Sequence, residues 1–270
     1  MACAIILSAR HRRFAGASLV FVACTTAIVA QLSGSFWPTV AGLAFFAAGI
    51  SHGAGDEDDA GLHSYTLPLA AAYLIAGAAI ASIYLISPVF GLVLFLLLSG
   101  WHFARTDCAL DQLARNAVAG LAIGGSALFR PSSTAEVFTL ITGVQFPGLL
   151  LSGLALAGII GLGFAIVAAL QNRAGYEHAV LAGLATMSLE PPLAVGLIFL
   201  ISHALPVQLR QIDAYGPKRV LNAVGLASLF ALAGTFLLGV ATWYGILPPP
   251  VSVALAFGFA TPHILSEDMR

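Results

Sequence analysis

Charged residues are scarce in this chain. Aspartate, glutamate, lysine and arginine together make up 9% of its 270 residues, whereas hydrophobic residues make up 59%. A water-soluble domain carries about 25% charged residues, so this chain has too little polar surface to cover a globule in water. The composition excludes a soluble domain and predicts a polytopic membrane protein.

Cysteine is also scarce, and neither sign of charge predominates. Cys3, Cys24 and Cys108 are too few and too scattered for a disulfide framework or a cysteine metal site. The net charge of −1 creates no overall field that would attract nucleic acid. We therefore expect the lipid bilayer, and no nucleic acid, as the surroundings of this protein.

Apolar segments follow one another along almost the whole chain. They cover residues 14–32, 36–52, 66–86, 88–105, 114–129, 147–170, 177–189, 192–209, 219–240 and 249–265. A membrane-spanning helix needs about 17–20 residues, so the fifth and seventh segments are short enough to be half-helices. The sequence predicts an all-α transmembrane bundle of about eight to ten helices, in one domain covering residues 1–270.

The basic residues indicate an orientation. If the N-terminus is cytoplasmic, ten of the eleven lysines and arginines fall on the cytoplasmic side and only Arg130 falls outside. This distribution obeys the positive-inside rule. It predicts a cytoplasmic N-terminus and a multi-pass protein of the cell inner membrane.

Four histidines stand near the ends of apolar segments that would all reach the cytoplasmic side. They are His52, His102, His203 and His263. A single histidine in such a position is more often an interfacial or hydrogen-bonded structural residue than a metal ligand. Four imidazoles at similar depth on one side can converge in the interior of a bundle, and together they favour a metal site.

Carboxylates follow three of these histidines at short spacing. Asp56 lies four residues after the first histidine and Glu267 four residues after the fourth, so each pair would share one face of a helix. Asp107 lies five residues after the second and would reach it if the helix ended there. Such a carboxylate can accept the second ring N–H of a metal-bound imidazole. The alternative for each is a hydrated acid at the membrane interface.

The ligand chemistry narrows the choice of metal. Neutral imidazoles in an apolar setting suit iron, copper or zinc rather than magnesium or calcium. A zinc ion with four protein ligands would be closed and structural, whereas iron with four nitrogen ligands keeps positions open for dioxygen. We therefore expect Fe(2+), with copper as an alternative.

At these motifs the sequence resembles the Brp/Blh family of integral-membrane β-carotene 15,15′-dioxygenases, which cleave β-carotene into two retinals for microbial rhodopsins. The likeness lies in a PHGxxD-like motif at Ser51–Asp56, an FHFxxxD-like motif at Trp101–Asp107, the later His203 and a PHxxxE-like motif at Pro262–Glu267. It implies that the four histidines hold Fe(2+), that a carotenoid and O2 are the substrates, and that a rhodopsin receives the retinal.

The chain departs from the family pattern at two positions. The later motif usually carries a second histidine four residues on, where this chain has Val207, and Ser51 stands where proline is common. Loss of a ligand would leave a weaker site, a replaced ligand or an altered substrate.

An apolar polyene would be positioned by shape, because it offers no charge to bind. The chain has 17 phenylalanines, most of which we expect to face lipid or to pack between helices. Those suited to line a substrate path include Phe95, Phe103, Phe199, Phe257 and Phe259.

The remaining histidines lie outside the four motifs. We expect His11 and His178 to be solvent-facing or interfacial. His63 is expected in a loop, where it would be a spare ligand at most.

Two other classes of function stay open. Histidine and acid pairs beside broken helices also suit a proton or ion transporter, although the outer half of the chain offers few polar groups apart from Arg130, Glu136 and Glu190. The valine in place of a ligand suits a metal-free protein that binds a retinoid or carotenoid. The dense HxxxH and HxxHH clusters of membrane desaturases are absent from the sequence.

Overall fold

The structure is a computed structural model that describes residues 2–50, 56–58, 61–63, 66–106 and 110–268, with side chains described in 16–50, 66–68, 70–105 and 110–261. The helices are α1 (Ala2–Leu32), α2 (Phe36–Ile50), α3 (Leu67–Ile86), α4 (Pro88–Thr106), α5 (Gln112–Phe129), α6 (Pro131–Thr142), α7 (Gly148–Leu170), α8 (Tyr176–Ser188), α9 (Pro191–Phe199), α10 (Leu205–Tyr215), α11 (Pro217–Trp243) and α12 (Pro249–Asp268). A π-helical turn, Leu200–Ala204, joins α9 to α10. Two short strands, β1 (Asp56–Asp58) and β2 (Gly61–His63), pair antiparallel between α2 and α3. The all-α prediction is confirmed.

Several helices have the length and composition of membrane spans. In the described part of the chain, four stretches qualify in full: Pro88–Arg105, Gly148–Leu170, Pro191–Tyr215 and Pro217–Trp243. Shorter apolar helices cover Gly16–Leu32, Phe36–Ile50, Ala70–Ile86 and Pro249–Thr261. Leucine, isoleucine and phenylalanine side chains are exposed along their outer faces. Because such a surface is stable only in lipid, this chain is a membrane protein.

Helix α5 forms the centre of the bundle. It contacts α4, α6, α7, α8 and α9, and most of its residues between Ala114 and Ala127 are buried. Its sequence consists largely of alanine and glycine there, so neighbouring helices approach on every side. Asp111 caps its first turn by accepting a hydrogen bond from the Leu113 N–H at 3.0 Å. The polar residues that follow this cap place the start of α5 at the polar end of the bundle.

Close contacts between glycines hold three helix pairs together. A Cβ atom at Gly120 of α5 would lie 2.8 Å from the Cα of Gly161 in α7. Gly42 and Gly196 place α2 against α9 in the same way. The third pair, α3 with α12, meets at Gly77 and Gly258. Between membrane helices such contacts replace the hydrophobic drive that water would supply.

The two ends of the bundle differ in charge. Arg105 and Arg115 lie where α4 ends and α5 begins, and Arg115 donates a hydrogen bond to the carbonyl of Arg105 at 3.0 Å. Arg173, in the turn after α7, lies 4.0 Å from the carboxylate of Asp111 at the same end. Arg130 lies at the far end of α5, about 27 Å away along the helix axis. It forms an ion pair with Glu190 at 2.7 Å. This separation agrees with the positive-inside distribution, while the side that faces the cytoplasm stays a prediction.

The predicted apolar segments correspond to helices. The short seventh segment is confirmed as α8, whose 13 residues are too few to span a bilayer. Two features differ from the prediction. Helix α6 was not predicted, because its serines, threonines and Glu136 interrupt the apolar pattern. The helical face predicted for His52 and Asp56 is wrong, because α2 ends at Ile50 and Asp56 lies in the extended strand β1.

We expect Gly124→Ala to lower the thermal stability of the detergent-solubilised protein. Its new methyl group would overlap the Leu154 carbonyl oxygen of α7, and such overpacking costs about 1–3 kcal/mol. Gly163→Ala is the matched control, because nothing lies within 4 Å of a Cβ there. Size-exclusion chromatography after heating measures the fraction that stays monodisperse. Equal stability of the two variants would contradict the close α5–α7 crossing.

Candidate metal centre

The first element of the site is the last turn of α4. His102 lies in this turn with 1% of its surface exposed, and Ser99, almost one turn earlier, is also buried. Trp101 projects outward instead, where the guanidinium of Arg105 lies over its ring at 5.2 Å. The turn therefore presents an imidazole to the bundle interior and an amphipathic ring to the outside.

The second element is the π turn between α9 and α10. The N–H of Leu205 donates to the carbonyl of Leu200, five residues earlier, as a π-helical turn requires. Pro206 explains this turn, because proline has no N–H and its ring clashes with the carbonyl four residues before it, that of Ser202. His203 belongs to the turn and is 2% exposed. A π turn of this kind frequently marks a functional site.

His102 and His203 meet in the interior. Their Nε2 atoms lie 3.2 Å apart, and the planes of their rings are inclined by 72°. Two nitrogens that bind one metal ion at about 2.1 Å lie about 3.0–3.4 Å apart for angles of about 90–110° at the metal. The pair therefore fits two ligands of a first-row metal ion. Without a metal, one Nε2 donates a proton to the other, and the imidazoles form a hydrogen bond.

Aromatic side chains surround this pair. The ring of Phe103 lies 4.8 Å from that of His203, and the ring of Phe199 lies 5.8 Å from it. Phe46 of α2 extends the cluster, with its ring 5.4 Å from that of Phe199. Such apolar surroundings leave little room for water beside the two imidazoles. The site is thus dry and able to bind a cation through nitrogen lone pairs.

The side chains of the other two predicted ligands, His52 and His263, lie outside the described part of the structure. Two described residues near them in sequence contact the surroundings of the pair. Gly49, three residues before His52, lies so close to the Phe199 ring that a Cβ would overlap it. Thr261, two residues before His263, lines the same crevice as Leu98, which is one turn before His102 on α4. Among the described side chains alone, no cluster of three or more possible ligands forms.

Of the three predicted carboxylates, the structure describes the backbone of Asp56 and Glu267. Asp107 lies just beyond the end of α4 at Thr106, outside the described residues. Helix α12 continues to Asp268, so the backbone carries His263 and Glu267 in one helix, as the spacing required. The roles of Asp56, Asp107 and Glu267 stay predictions.

His203 does not stand at the end of its helix, contrary to the sequence-based expectation. The chain continues as α10 to Tyr215, so that three further turns follow the π turn. Val207, in the position of the family's second histidine, is buried at 8% exposure. The apolar run ends near this histidine, but the polar residues of α10 extend the helix as an amphipathic segment.

His178 was expected to be solvent-facing or interfacial, and the structure shows a half-buried side chain with a polar partner. It lies in the first turn of α8, and its Nδ1 atom lies 3.4 Å from the hydroxyl oxygen of Ser202. Helix α8 is not among the helices that can cross a bilayer. Burial lowers the pKa of the His178 imidazole, and the negative charge of Glu177 opposes this shift. A histidine directly after the Gly175 turn gives no sign in sequence that a distant serine lies beside it.

A narrow apolar crevice lies between α3, α4 and α12. It is lined by Ile80, Ile83, Leu94, Phe95, Leu98 and Phe257, among others. Phe95 and Phe257 stack across it with ring centroids 3.7 Å apart and an angle of 7° between the planes. Ile83 is partly exposed on the outer surface of the bundle. The crevice therefore leads from the lipid-facing surface toward the turn of α4 that carries His102.

The fold and this site define a polytopic membrane protein with paired histidines in a dry interior. A family model described as beta-carotene 15,15'-dioxygenase matches residues 43–265. Because the match covers more than half of the chain, the protein belongs to the β-carotene 15,15′-dioxygenase family. Neither the curated proteins nor the solved structures gave a match. The matched region includes all four predicted ligands, whereas Glu267 lies two residues beyond it.

We expect His102→Ala and His203→Ala each to remove most of the Fe(2+) that the purified protein binds. The double variant should lose no more than either single variant, because both imidazoles would bind one ion. Trp101→Phe, next to His102 but facing outward, should keep full binding. Metal analysis after anaerobic loading and desalting measures the iron. Undiminished iron in either single variant would contradict a shared ion.

Proposed function

We propose that this protein is a carotenoid dioxygenase that cleaves β-carotene, or a close relative, at its central double bond. The observation that carries the proposal is the buried Nε2–Nε2 contact of His102 and His203 in a chain of this family. These residues are separated by 101 positions in sequence and stand on different helices. Burying two polar rings in an apolar interior costs free energy. Binding of a shared metal ion would explain why both rings lie there.

The proposed metal is Fe(2+), held by His52, His102, His203 and His263. Imidazole nitrogens in a dry site suit this ion. Fe(2+) would supply the activation of O2 when bound. In the overall reaction the central double bond breaks and each of its two carbons gains one oxygen atom, so that one β-carotene and one O2 give two retinals.

The residues of the chain would position the polyene and keep water away. Phe103 and Phe199 lie against the imidazole of His203 and present flat apolar surfaces beside it. A conjugated chain can pack against such rings without polar contacts. The expected result is that the central double bond lies next to the paired histidines while water, which would compete for the site, stays excluded.

We further propose that the substrate reaches the site from the bilayer through the crevice between α3, α4 and α12. The crevice is too narrow for a complete carotenoid, so the stacked rings of Phe95 and Phe257 would have to separate. Only the lipid phase holds such a substrate in quantity, and the partly exposed Ile83 places one side of the crevice at that phase. The stack would thus act as an apolar gate.

We expect Phe95→Trp to lower kcat/KM for β-carotene by about tenfold, equivalent to about 1.4 kcal/mol of overpacking. The larger indole would fill the crevice at the stack with Phe257. Bound iron should not change, because the substitution lies about two helical turns from His102. Phe90→Trp is the matched control, since Phe90 lies on the same helix and faces lipid. Equal kcat/KM in the two variants would contradict entry by this route.

A metal-free carotenoid- or retinoid-binding protein is the second candidate. It is favoured by Val207, which occupies the position where the family usually has a histidine. The transporter alternative has less support, because Arg130 and Glu190, two of the few outer polar groups, are paired with each other. Protein that retained carotenoid but no iron, and formed no retinal, would favour the binding protein.

Expression in bacteria that make β-carotene tests the proposed activity. We expect the orange colour to fade and retinal to form, because central cleavage shortens the conjugated chain. His102→Ala and His203→Ala should lower retinal formation by more than about 100-fold, since loss of a ligand exceeds the effect of losing an outer contact. Chromatography of cell extracts quantifies both pigments. Unchanged colour with well-expressed wild-type protein would overturn the proposal.

A further inference from the structure

The π turn is held from two sides. His203 projects toward α4 and meets His102, with 3.2 Å between the Nε2 atoms. Ser202, the preceding residue, meets His178 of α8, with 3.4 Å between its hydroxyl oxygen and Nδ1. Consecutive helical residues point in directions that differ by about 100°. One turn thereby contacts two different helices through neighbouring side chains.

Such a turn needs external contacts to keep one conformation. The ring of Pro206 prevents the regular helical hydrogen bond to the carbonyl of Ser202, so backbone bonding alone constrains this turn less than an α-helix. Ser202 is 1% exposed and the Nδ1–hydroxyl contact is its link to α8. A rotation of the turn by even part of a residue would move Nε2 of His203 away from its partner.

We propose that His178 is a positioning residue, which holds the π turn through Ser202 so that Nε2 of His203 faces Nε2 of His102. His178 does not touch the paired imidazoles in this arrangement and acts through the serine hydroxyl. Where it concerns metal binding, this inference rests on the proposed function. Where it concerns the geometry of the two imidazoles, it stands without a metal.

The surroundings of His178 suit this role. Burial favours its neutral form, in which Nδ1 either accepts the serine O–H or donates to the hydroxyl oxygen. Its helix begins at Tyr176, directly after Gly175, whose φ of 81° allows the tight turn that follows α7. The same segment is tied to α5, because the N–H of Asp111 donates to the carbonyl of Ala174 at 2.8 Å. His178 therefore starts from a fixed backbone, as a positioning contact requires.

The test uses the purified full-length protein, with histidine side chains labelled with 15N. His178→Phe and Ser202→Ala should each shift the 15N signals of His102 and His203 in metal-free protein. Each should also weaken Fe(2+) binding about tenfold, within the range known for outer contacts of metal ligands. The double variant should equal the single variants, because both remove one interaction. His178→Asn, which can place a polar nitrogen or oxygen near the Nδ1 position, should restore both properties.

Ser252→Ala is the matched control, because Ser252 is buried and its hydroxyl meets that of Thr242 far from the π turn. It should change neither the imidazole signals nor iron binding. Thermal unfolding of each variant separates positioning from a general loss of stability. Unchanged 15N signals in His178→Phe and Ser202→Ala would overturn the inference. If the signals shift but the wild-type protein binds no Fe(2+), the positioning role stands and the proposed function fails.

Discussion

Close backbone contact between glycines is the constraint on which the rest of this structure depends. Lipid surrounds the outer helices, so burying apolar side chains between them gains little free energy. Helices must instead approach until backbone atoms touch, as at Gly42 with Gly196 and at Gly120 with Gly161. Each such contact fixes where two helices cross and how far each can slide. The positions of the last turn of α4 and of the π turn are consequently fixed as well, and these two turns carry His102 and His203.

The position of the imidazole pair follows from these crossings. Gly42 and Gly196 place α2 against α9, which leads directly into the π turn and His203. Helix α5 then joins the remaining elements, because it packs against α4, α8 and α9. A buried pair of neutral imidazoles is stable only if its nitrogens satisfy each other or a metal. The dry aromatic surroundings strengthen whichever interaction is present, since the local dielectric constant is low.

Hydropathy predicted most of the helices because a membrane-spanning helix is a run of apolar residues of sufficient length, bounded by polar residues. It missed α6, in which Glu136 and several hydroxyl side chains interrupt the run. The four-residue spacing of His52 and Asp56 also suggested a shared helical face, although Asp56 lies in a strand. In both places the local sequence is short and polar, and tertiary contacts decide its structure.

The site was partly predictable for a different reason. His102 and His203 were found because an imidazole near the end of an apolar run is costly unless it has a partner. Their contact across 101 positions could not be derived from spacing, because it depends on how α4 and α9 cross α5. The π turn was equally invisible, although Pro206, three residues after His203, was its signal. His178 was missed because its partner Ser202 lies 24 positions away.

The absence of a second histidine at Val207 changes how such a site would be built. In a helix, residues four apart share a face, so a histidine at each of these positions would give two ligands from one rigid element. Here the two described histidines, His102 and His203, come from two separate elements, α4 and the π turn. A metal bound by them would link parts of the chain that otherwise depend on helix packing for their distance. Its binding free energy would then add to the stability of the bundle. Any loosening of the glycine contacts between helices would in turn weaken metal binding.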